Sequence, residues 1–210
     1  MNTTQANIDA VEKTDKDARQ GFFLASVSVL ERIAQKAGPK EMAAYLVLCG
    51  GVNGYQPGRF CTHGAKSVDT RTGMSRREST DAIQWLSDEG IIRPPHPQEP
   101  QWIGTMLTRA NQVTWVICDD EELDVAISQS FLAPTGNSRR SQLQRLLQDI
   151  RCTPEISTPM AQSDAILLFM GLLRDQDYGA WNGVRPTLLH QLYETAPVKE
   201  HGGEDRKSVV

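Results

Sequence analysis

VDTRTGMSRRESTDAIQWLSDEGII, from Val68 to Ile92, reads as two helices joined by a tight turn and followed by the start of a strand. Ser75 opens the second helix. Glu78, three residues later, completes a Ser-x-x-Glu capping box, in which each residue satisfies a backbone amide that the first turn of a helix leaves without a partner. Gly90 ends the helix. Ala82, Ile83 and Leu86 share one face at helical spacing, whereas Arg76, Arg77, Thr80, Asp81 and Gln84 fall on the others. One face is therefore expected to pack and another to stay open to a partner. The preceding helix ends at Thr72, and Gly73, Met74 and Ser75 form the turn, where glycine enters the left-handed region cheaply.

Upstream, PKEMAAYLVLCGGV (Pro39 to Val52) predicts a third helix, with Pro39 suited to a first turn and Ala43, Leu46, Val47 and Gly50 at spacings of three and four. Downstream, Ile91-Ile92-Arg93 has strand character. Pro94, Pro95 and Pro97 then force a non-helical excursion, and Val113 to Ile117 (VTWVI) returns as a second strand. The excursion from Arg93 to Gln112 is a two-stranded wing. Before all of this, FFLASVSVLERIAQKA (Phe22 to Ala37) is expected to be one amphipathic helix, and residues 1–20, polar and mixed in charge, a flexible tail.

With these elements in place, residues 39 to about 118 resemble a bacterial winged helix-turn-helix domain, the carrying motif being TRTGMSRRESTDAIQWLSDEGII. The stretch is most similar to such modules in plasmid and phage replication proteins and related transcriptional regulators, with AYLVLCGGVNGYQPGRFCTHGAKSV as first helix, loop and second helix. The resemblance implies that the start of the recognition helix enters the major groove of double-stranded DNA. That points to Ser75, Arg76, Arg77, Thr80 and Gln84, with Lys66 and Arg71 near phosphates. Asp81 could accept from cytosine or repel phosphate, and Arg93 and His96 are candidate contacts on the wing. Paired arginines are also a common solvated surface, and only their place at the helix start favours base or phosphate contact. Ser79 and Asp69 depart from the pattern, standing where such domains carry apolar residues.

Composition bounds this reading. The chain has 210 residues, 39% of them hydrophobic, which is enough for one sizeable domain or two small ones, and its formal net charge is −4. An acidic chain does not coat nucleic acid indiscriminately, so any basic surface must be local. A second cluster lies in NSRRSQLQRLLQDIR, where Arg139, Arg140, Arg145 and Arg151 face only Asp149. It is a candidate backbone-contacting helix whose Leu143, Leu146, Leu147 and Ile150 would pack inward.

Farther on, AAYLVLCGGVNGYQPGRF aligns with DAILLFMGLLRDQDYGAW, matching Ala44, Leu46, Gly50 and Gly58 with Ala165, Leu167, Gly171 and Gly179. This suggests a partial second winged-helix-like unit, with residues 186–195 as its second helix, against the alternative of coincidence between helix-loop-helix segments. The expected organisation is a mainly α fold with a small β-wing. It comprises a tail (1–20), the N-terminal helix and winged helix-turn-helix (21–120), a helical connector with the basic cluster (121–157), a C-terminal helical domain (158–197) and a polar tail (198–210). Ile166, Leu167, Leu168, Phe169, Leu172 and Leu173 are apolar almost all round one helix, which suggests a homodimer contact.

Other classes leave little trace. The Cys49, Cys61, Cys118 and Cys152 thiols show no CxxC spacing, and Cys61-Thr62-His63 fits no usual zinc pattern. There is no phosphate-loop signature, no Gly-x-Ser-x-Gly elbow and no His-Glu-x-x-His, so no catalytic residue or cofactor is assigned. No apolar run reaches membrane-spanning length and no cleavable leader is evident, which makes the cytoplasm or nucleoid the expected location. The expectation is a sequence-specific double-stranded-DNA-binding regulator. The alternatives are a replication-origin binder and a winged-helix adaptor for a protein partner.

Overall fold

Phe22 and Leu24 are 55% and 46% exposed while Phe23 and Ala25 are buried, the period of two that marks a strand, and the chain enters the fold as β1 (Phe22–Ala25). This computed structural model describes residues 21–52, 59–103, 111–118, 125–134, 140–174, 176–177 and 183–184. Both expected tails, Gly58, Gly179 and the helix expected over 186–195 lie outside the described residues. The helix expected from Phe22 begins only after Ser26, whose hydroxyl accepts from the Val29 amide at 3.4 Å and caps α1 (Val27–Lys36). The four residues before it pair antiparallel with β5 (Val125–Ser128), Phe23 opposite Ile127. That partner is a hundred residues away, where a helical connector was expected.

Gly38 and Pro39 open α2 (Pro39–Cys49), and Met42 through Cys49 are all fully buried. The expected single apolar face is thus exceeded, because neighbours surround this helix. They include α1, β1, α3 (Ala65–Thr72), α4 (Arg76–Asp88) and the C-terminal helix α6 (Pro159–Arg174). Burying a Met or Leu side chain in this way stabilises the fold by about 1.5–3 kcal/mol. Two short strands, β2 (Phe60–Cys61) and β3 (Ile92–Arg93), flank β4 (Trp115–Ile117) in an antiparallel sheet. The expected hairpin therefore gains a third strand, β2, whose two residues carry too little pattern to announce it.

Between β5 and α6 lie a short 3-10 turn (Gln129–Phe131) and α5 (Gln142–Cys152), which begins in a Ser141/Gln144 capping box. Leu143 and Ile150 of α5 and Ile166 and Met170 of α6 belong to the same core as α2, and Phe131 stacks on Phe169 with ring centres 5.7 Å apart. Most of the apolar circumference of α6 is thereby used within the chain, leaving Met160 and Leu168 exposed. The described residues up to Arg174 form one compact unit. Gln176–Asp177 and Gly183–Val184, an antiparallel pair, belong to a second.

The architecture is mainly α-helical with small antiparallel sheets. Among the described residues no helix is long and apolar enough to cross a membrane. Because α2 is enclosed on all sides from Met42 to Cys49, Leu46→Ala is expected to lower unfolding free energy by about 2–5 kcal/mol, read from urea denaturation at neutral pH.

Candidate nucleic-acid interface

The connection between α3 and α4 is built from local signals. Gly73 sits at φ 73° and donates its amide to Asp69 O at 2.9 Å, ending α3 with the left-handed residue that glycine adopts without steric cost. Ser75 then caps α4, accepting from the Glu78 amide at 3.3 Å, while Glu78 accepts from the Ser75 amide and hydroxyl at 2.9 Å each. Lys40 of α2 adds an ion pair to Glu78 at 2.5 Å. These donors hold the Glu78 carboxyl down at about 2, the Lys40 contact being the largest cause. At the other end, Gly90 at φ 70° and the Ile91 amide donating to Leu86 O at 3.0 Å complete a Schellman motif with both apolar residues buried.

The face of α4 expected to pack does so: Ala82, Ile83 and Leu86 are buried. Ser79 is buried with them, and its hydroxyl donates to Ser75 O at 3.0 Å, which is how a polar residue occupies a position expected to be apolar. Asp69 is only partly buried. Arg76, Arg77, Thr80, Asp81 and Gln84 are exposed. Several are engaged within the helix: Arg77 pairs loosely with Asp81 at 3.7 Å, Thr80 donates to Arg76 O at 2.9 Å, and Gln84 donates to Asp88 at 2.8 Å. The Ser75 hydroxyl is committed to the cap in both directions. Exposed pairs of this kind are worth little and exchange readily for a ligand.

Across from the start of α4, an open cleft of about 1120 Å³ runs between the first half of α3 and the β3–β4 excursion. Lys66, Arg71 and Arg76 line it with His63, Pro95, Gln101 and Gln112, and no carboxylate does so among the described residues. The three cations have no ion-pair partner among the described residues. Gly64 and Ser67, at the amino end of α3, also border the cleft, so the positive pole of that helix faces the same space.

Arg93 and His96 are placed differently from Lys66 and Arg71. The Arg93 guanidinium grips Glu99 with donors at 2.7 and 2.5 Å, and Glu99 also accepts from the His96 amide at 2.7 Å. This clasp shapes the base of the β3–β4 excursion, and Arg93 holds the Glu99 carboxyl at about 2. The exposed His96 ring is left at the bend. Arg140, just before α5, and Arg145, on it, are exposed, while Arg139 lies outside the described residues.

His63, weighed in the sequence only as part of a zinc pattern that does not fit, has a different place here. Its Nδ1 donates to Val47 O at 2.9 Å, and its ring fills the space above Gly51, where a Cβ would stand 2.5 Å from the ring Cγ. Burial first, and then the Arg71 charge, push its pKa down to about 4, so it is neutral at physiological pH. Burial likewise lifts the neighbouring Cys61 thiol to about 12, and all four cysteines are free. No group of three or more metal-ligating side chains stands together among the described residues. No protein-family model, curated protein or solved structure matches the chain.

Because the folded state disfavours the charged imidazole, the His63 contribution to stability is full above pH 6.5 and is lost as pH falls toward about 4. His63→Asn keeps a donor for Val47 O without titrating. The stability difference between wild type and this variant is expected to change by at most about 3 kcal/mol across that window, and urea midpoints from pH 4 to 7.5 measure it.

Proposed function

We propose that this chain is a sequence-specific double-stranded-DNA-binding protein of the winged helix-turn-helix kind, with α4 as recognition helix and the β3–β4 excursion as wing, and that it serves as a transcriptional regulator. The observation that carries this reading is the cleft beside α4, lined by Lys66, Arg71 and Arg76 and free of carboxylates among the described residues, in a chain whose net charge is −4. Local positive charge on an acidic chain suits a ligand of high charge density presented at one place, which is what a DNA backbone offers.

The division of labour follows from side-chain chemistry. Lys66 and Arg71, with the amino end of α3, receive phosphate and set register, because contacts to the backbone carry position rather than sequence. Arg76 and Arg77, at the exposed start of α4, reach base edges. A guanidinium matches guanine O6 and N7 with two parallel donors. Thr80 and Gln84 lie one and two turns farther along and extend the reading surface, while Asp81 selects against wrong bases by accepting only from a donor such as cytosine N4. Glu78 takes no part in contact, since Lys40 and Ser75 hold it.

Selection from a random duplex pool tests the reading. Wild-type protein is expected to enrich a motif that Arg76→Ala/Arg77→Ala loses. Arg76→Ala alone removes about 1–3 kcal/mol of preference at one position, and Lys66→Ala weakens all sequences alike while lowering the salt slope by about 1. An inverted repeat in the motif identifies a homodimer, and direct repeats an origin binder. No enrichment at low salt overturns the proposal and favours a protein partner instead.

A further inference from the structure

A second cleft, of about 500 Å³, opens where α5 crosses the α3–α4 turn. Thr72 and Gly73 form one side, and Arg140, Gln144, Gln148 and Arg151 line the other. Gln144, Gln148 and Arg151 follow one another at spacings of four and three and so form one stripe along α5, beside the buried Leu143 and Ile150, while Arg140 stands just before the Ser141 cap. No carboxylate borders this cleft among the described residues. Glu78 shares a neighbouring cavity of about 250 Å³ with Arg151, but Lys40 and Ser75 hold its carboxylate.

The stripe is fixed to the turn. Ser141 Oγ donates to Arg71 O at 2.9 Å and Gln144 Nε2 donates to Thr70 O at 2.8 Å, satisfying carbonyls that the end of α3 would otherwise leave open. Gln148 accepts from Arg140 and orients it. Arg140 is thereby held, and Arg151 lines the same cleft, on the flank of the turn that leads into Ser75 and Arg76.

We infer that this cleft binds the phosphate backbone of the same DNA duplex, at a position beyond the one held by Lys66 and Arg71, and so lengthens the footprint past the recognition helix. The inference rests on the DNA-binding reading above. Phosphate is the ligand class because a guanidinium fork presents parallel donors to two of its oxygens, and because DNA seated at the start of α4 carries its sugar-phosphate chain past the adjoining turn. Arg145 lies on a different part of the α5 circumference and does not line the cleft.

The test compares full-length wild type, Arg140→Gln, Arg151→Gln, the double variant, and Arg145→Gln as a charge-matched change on the same helix. Each is titrated against the selected duplex from low to high salt, with far-ultraviolet circular dichroism confirming that the helices persist. The slope of log affinity against log salt is expected to fall by about 1 for each cleft arginine removed and by about 2 in the double variant, with a smaller change for Arg145→Gln. Hydroxyl-radical protection should shorten on one side of the site in the double variant.

Unaltered slopes in folded cleft variants, with Lys66→Ala still lowering the slope, overturn this inference and leave the DNA-binding reading intact. Equal losses for all three single variants also overturn it, since they would reflect the overall field rather than a contact. If the wild type shows no salt-dependent DNA binding, both fall together.

Discussion

A helix that beyond its first turn has no face left for water is the constraint on which the first unit of this protein depends. From Met42 to Cys49 every residue of α2 is buried, so its polar backbone ends must be satisfied by protein. Its last turn delivers Val47 O to the His63 ring and Leu48 O to the Cys61 thiol, at 2.9 and 3.0 Å. The carbonyls at the end of one buried helix thereby fix the segment that leads from β2 into α3. At its other end, Lys40 reaches Glu78 and ties the start of α2 to the cap of α4. The two helices that border the large cleft are thus aligned from opposite ends of the same element.

The charge distribution follows the same economy. Three carboxylates near this region are spent on structure: Glu78 in a cap, Glu99 in the grip on Arg93, and Glu89 on Lys36 at 2.5 Å. Among the described residues, Lys66, Arg71 and Arg76 have no ion-pair partner, in a chain that is acidic as a whole. Arg71 is half-buried beside neutral His63. A charge held in less water interacts more strongly with whatever anion reaches it.

Much of this was legible where the physics is local. Ser75 with Glu78, Gly73, Gly90 and Pro39 each mark a helix end through bonds or torsions spanning a few residues, and the helices from Pro39 and Arg76 begin where those signals place them. What escaped was non-local. Phe22–Ala25 is a strand because residues near Val125 pair with it, and Phe60–Cys61 because Trp115 and Val116 do. The spacing of Ala43, Leu46 and Val47 marked one apolar face of α2, but its all-round burial could not be read, as no polar side sets a direction when every face is apolar. The Arg93 grip on Glu99 depends on how three prolines bend the chain between them. His63 carried no recognisable spacing, and only the fold brings it to Arg71 and Val47 O. The one signal available was the Gly50-Gly51 pair, a sign that something approaches closely.

That close approach has a consequence for how this sequence can change. Gly51 has its hydrogen where any other residue would put a carbon 2.5 Å from an aromatic ring, and the ring in turn closes the end of α2. Positions 51 and 63 are therefore a single choice made twice. A lineage that enlarges the first must shrink or rotate the second, and would then have to find another donor for Val47 O. The wall of the cationic cleft would be rebuilt by a substitution at a residue that does not line it.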